Sequence, residues 1–75
     1  MDAHDDPLAH LARELERLSQ ANLALGEATA QLIALAPPEE RRILGEAARA
    51  SRDAARTAAE ASARTLAAAD DARPA

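Results

Sequence analysis

The chain has 75 residues, a net charge of −4, and neither an aromatic residue nor a cysteine. That composition excludes disulfides and thiol chemistry and argues against a polyanionic partner such as nucleic acid or an anionic membrane surface. It also limits the chain to one small domain, near the size at which a single hydrophobic core is marginal.

All nine basic residues are Arg and 23 residues are Ala, a bias that fits a GC-rich bacterial genome. The opening Met1-Asp2-Ala3-His4-Asp5 is polar and acidic, unlike a secretory leader. Residues 1–5 are expected to form a flexible lead-in, and the location is expected to be cytoplasmic.

Asp6 followed by Pro7 is a helix start: an N-cap carboxylate, then a proline whose missing N–H would have had no partner anyway. The first helix is expected over about 6–35. Along it Leu8, Leu11, Leu15, Leu18, Asn22, Leu25, Thr29 and Leu32 recur by threes and fours, which places them on one side of a helix. Only Glu27 is charged between Leu18 and Pro38, yet Ser19, Gln20, Asn22, Thr29 and Gln31 make the stretch too polar for a membrane span.

Pro37 and Pro38 each push the preceding residue out of the helical region, so a turn is expected at 36–38. The second helix is expected over about 38–69, opening with Glu39 and Glu40 where the helix dipole favours acid. Leu44, Ala47, Ser51, Ala54, Ala58, Ala61, Thr65 and Ala68 repeat the three-four spacing with smaller side chains. Asp70 and Asp71 stand at the unfavourable end of that helix, so 70–75 reads as a flexible tail.

Folding back at the prolines sets Leu8 against Thr65, Leu15 against Ala58, Asn22 against Ser51 and Thr29 against Leu44. Leu11, Leu18 and Leu25 then meet Ala61, Ala54 and Ala47. The fold expected is all-α: an antiparallel two-helix hairpin of coiled-coil type, with large side chains packing on small ones. A lone hairpin wets half of each helix, so two copies are expected to associate into a four-helix bundle.

Asn22 opposite Ser51 suggests control of register by a polar pair in the seam. Gly26, among small neighbours, suggests close helix approach; Gly45 has no evident role. On the outer face of helix two, Arg42, Arg49 and Arg56 alternate with Glu46, Asp53 and Glu60 at helical spacing, a solvated ladder. Leu23, Ile33, Leu35 and Ile43 exceed what one seam can bury and form a candidate partner surface in a charge-poor region.

Chemistry-bearing patterns are weak. His10 stands on the first helix in the way phosphorelay bundles present a histidine, but Leu11 follows where an acid is usual. His4, Asp5, Asp6 and His10 match no compact metal spacing. No phosphate loop or activated nucleophile is present, so no catalytic residue, metal or cofactor is expected.

In size and shape the chain resembles the small hairpin chaperones of bacterial secretion systems and the dimeric Rop-like hairpins. The former resemblance implies a non-catalytic assembly factor, adaptor or chaperone-like subunit, working as a homo-oligomer, most simply a dimer, or with a protein partner. The latter implies nucleic-acid binding, which the acidic balance and the lack of Lys oppose. Phosphotransfer through His10 is the remaining alternative.

Overall fold

A computed structural model describes residues 6–72; the lead-in expected over 1–5 and the last three residues of the expected tail lie outside the described residues. Two helices, α1 (Pro7–Ile33) and α2 (Pro38–Asp71), make up the described chain. Asp6 caps α1 from an extended backbone, its Oδ1 accepting a hydrogen bond from the Leu8 N–H at 3.0 Å.

The first helix ends at Ile33, two residues before the expected Leu35. Pro37 bars Ala36 from helical geometry, and the chain begins to reverse ahead of it. The last turn tightens accordingly: the N–H groups of Leu35 and Ala36 donate to the carbonyls of Leu32 and Ile33 at 3.0 and 3.2 Å. Arg41 Nε donates to the Ala36 carbonyl at 3.1 Å, giving that turn oxygen a partner. Pro37 is extended at φ −58° and ψ 151°, and α2 starts at Pro38. At its far end α2 continues through Asp70 and Asp71, two residues beyond expectation, closed by the Ala72 N–H on the Ala68 carbonyl at 3.0 Å.

The second helix runs back along the first, forming a rod of 58 × 17 × 11 Å. The seam between them is made of small residues: Ala12 and Gly26 of α1 are buried against Ala48, Ala55, Ala58, Ser62 and Ala69 of α2. Two hydroxyls cross it in opposite senses. Ser62 Oγ donates to the Ala12 carbonyl at 2.8 Å, and Ser19 Oγ donates to the Ala55 carbonyl at 2.7 Å. Further toward the turn, a Cβ on Gly26 would lie 3.2 Å from the Ala48 carbonyl oxygen and 3.4 Å from Ser51 Cβ. Ala12 with Ser62, Ser19 with Ala55 and Gly26 with Ala48 thus step seven residues along one helix and seven back along the other.

The contact line is turned relative to the expected stripe. Leu15, Asn22 and Thr29 are half-buried beside it, but Leu8, Leu11, Leu18, Leu25 and Leu32 are exposed. On α2, Ala58 is buried and Leu44, Ser51, Ala61 and Thr65 are half-buried, whereas Ala47, Ala54 and Ala68 face water. The physical reason is distance. Interaxial separation follows the side chains at the contact. A serine hydroxyl reaches the opposite backbone only if the helices touch through Ala, Ser and Gly, and a leucine between them would hold them apart.

On the outer faces, Arg42 pairs with Glu46 at 3.1 Å as expected, while Arg56 takes Asp53 at 2.8 Å rather than Glu60. On α1, Arg17 pairs with Glu14 at 3.4 Å. All three pairs are well exposed and contribute at most about 0.5 kcal/mol each.

Candidate protein-interaction face

Because α1 meets α2 through the Ala12, Ser19 and Gly26 row, the residue before each of these lies to one side of the seam. Those residues are Leu11, Leu18 and Leu25, and Leu32 continues the row. They keep between 48% and 57% of their surface in water. On α2 the residues preceding Ala48, Ala55, Ser62 and Ala69 are Ala47, Ala54, Ala61 and Ala68. In an antiparallel pair, rows displaced from the seam in the same sequence direction fall on the same side of the hairpin. The leucine and alanine rows therefore share one face, a ridge of Leu beside a trough of methyl groups.

That face is poor in charge. Its next row outward on α1 is Glu14, Ala21, Ala28 and Leu35, and on α2 Ile43, Ala50, Thr57, Arg64 and Asp71. The three charges all lie toward the open end of the hairpin. Glu27 follows Leu25 by two residues, about 200° around the helix. At the turn end the face continues into Leu35, 83% exposed, and Ile43, 58% exposed.

Of the four residues singled out as a partner surface, Leu35 and Ile43 are thus exposed at the tip of this face. Ile33 is half-buried, in phase with the seam row rather than the leucine row. Leu23 is exposed but sits two residues from Leu25, so it projects from the opposite side of the hairpin, as does Leu66.

The polar pair expected to hold register does not do so through its amide. Asn22 Nδ2 donates to the Leu18 carbonyl of its own helix at 3.0 Å, and the Thr29 and Thr65 hydroxyls likewise bond four residues back, to Leu25 and Ala61. Ser19 and Ser62 make the interhelical bonds instead. Their signal in the sequence was phase: Ala12, Ser19 and Gly26, like Ala48, Ala55, Ser62 and Ala69, are small at every seventh position.

His10 is exposed on α1. Among the described residues there is no pocket and no group of three or more potential metal-ligating side chains. No helix among them is long and apolar enough to cross a membrane. No family model, curated protein or solved structure matches the chain.

Proposed function

We propose that this chain is a non-catalytic protein–protein interaction module: a small helical-hairpin assembly factor, adaptor or chaperone-like subunit, acting in an oligomer or with a protein partner. The observation that carries the reading is the half-exposed row Leu11, Leu18, Leu25 and Leu32 on a face with almost no charge. Single exposed leucines are ordinary, but a contiguous apolar face depleted of charge is the mark of an interface core. The hairpin's own seam consumes small residues and leaves its large apolar side chains outside, which is the arrangement expected of a part that is completed by association.

A photo-cross-linking residue placed at Leu25 or, as a control, at Arg49 tests this in the source cells. Protein adducts formed selectively from position 25, whatever their identity, support the reading. No adducts, or equal yields from both positions, overturn it.

A further inference from the structure

We infer that the leucine face receives a second copy of this chain, related by a two-fold axis parallel to the hairpin's length, so that both turns lie at the same end of a four-helix bundle. The inference rests on the reading above and adds the identity and orientation of the partner.

Shape is the first argument. The face has a Leu ridge along α1 and an Ala trough along α2. Rotation about the long axis carries α1 of one copy over α2 of the other, setting ridge into trough. Height is unchanged by that rotation, so register is automatic. Leu11 lies within about 3 Å of the height of Ala61, as do Leu18 of Ala54 and Leu25 of Ala47, each pair being offset by two residues from the level set by the seam contacts. Every Leu of one copy therefore arrives opposite an Ala of the other. A two-fold axis across the hairpin would instead stack Leu on Leu and leave the Ala rows facing each other across a gap, which a close-packed interior does not tolerate.

Area is the second. A face 58 Å long and 17 Å wide offers on the order of 1,000 Å², comparable with the ~800 Å² that each partner contributes to a standard stable interface. Charge is the third. The long-axis rotation brings the outer row of α1 alongside the outer row of the partner's α2. Those rows carry Glu14 on α1 and Arg64 and Asp71 on α2, all toward the same end, with Glu14 and Arg64 opposite in sign. Neighbouring helices in this bundle all run antiparallel, which also suits their dipoles.

The chain has no cysteine, so a single introduced one can be spin-labelled cleanly. Glu39→Cys at the exposed start of α2 and Asp71→Cys at its exposed end are labelled separately. Pulsed dipolar spectroscopy then gives the distance between the two copies' labels, and sedimentation equilibrium gives the mass of the same samples. The expected result is a dimer in which both variants give a single distance well under half the 58 Å length of the hairpin. Distances approaching the full length at both sites would show copies turned end for end and overturn the inference. A monomer at all concentrations, or a stoichiometry other than two, would also overturn it. Cross-links from position 25 to other proteins would in that case leave the broader reading standing.

Discussion

Ser62 is a buried side chain whose hydroxyl leaves its own helix, bonding the Ala12 carbonyl at 2.8 Å. Replacing it with Ala removes that bond without creating a void, so Ser62→Ala should destabilise by about 0.5–1.5 kcal/mol, the net worth of one hydrogen bond. Asn22 spends its amide on its own helix. Asn22→Ala exchanges a weak helix former for the best one and should be neutral or stabilising by up to ~0.7 kcal/mol. Chemical unfolding of both variants, followed by the helical circular dichroism signal, checks the order.

The glycines make a second contrast at this scale. Gly45 has open space where a Cβ would go, so Gly45→Ala should stabilise by about 0.8–1 kcal/mol through helix propensity alone. At Gly26 the neighbour is the Ala48 carbonyl, which cannot step aside without moving α2. Gly26→Leu should therefore lower stability by about 1–3 kcal/mol, the usual cost of overpacking, in thermal or denaturant melts.

At the scale of the helices, a leucine on the ridge is valued differently by the hairpin and by its assembly. About half of the Leu18 surface is already wet in the hairpin. Leu18→Ala should therefore cost a dilute, dissociated sample only about 0.7–1.5 kcal/mol, half of what full burial of such a side chain is worth. Titrating protein concentration separates the two contributions: the loss should widen toward the full ~2–5 kcal/mol of a buried Leu→Ala as association covers the ridge.

The helices are also where legibility divides. Asp6-Pro7 and Pro37-Pro38 are local chemistry, so the element starts and the turn could be placed to within about two residues. The pairing of positions along the hairpin was legible only to within one or two residues: the expected partners sum to 72 or 73, whereas Ala12 with Ser62, Ser19 with Ala55 and Gly26 with Ala48 sum to 74. The face was not legible. On α1 two adjacent rows keep the same spacing, one of Leu and one of Ala, Ser and Gly, and hydrophobicity alone points to the larger side chains as the inward ones. On α2 both rows are small, so size offered no choice. The leucines of the interaction face are thus legible as a stripe, but neither their outward placement nor the interhelical bonds of Ser19 and Ser62 follow from spacing alone.

For the molecule as a whole, the consequence is a rod whose internal contact buries mostly methyl groups and whose bulk of apolar surface lies on one flank. Association that covers that flank stabilises the folded state by mass action. The melting temperature should rise steadily with protein concentration, which differential scanning calorimetry over a hundredfold range would reveal; a constant value would mean the hairpin gains nothing from covering its leucines.

The reversal at Pro37-Pro38 has a practical corollary. Since Asp6 stands about level with residue 68, the two ends of the described segment lie at the same end of the rod, close enough for a short added linker to join them. A circular permutant opened between Pro37 and Pro38 would keep both serine latches and the glycine contact while exchanging covalent continuity at one pole for the other. It should fold to the same rod with its far-ultraviolet spectrum unchanged, since the prolines decide where the chain reverses and the seam decides how its two halves fit.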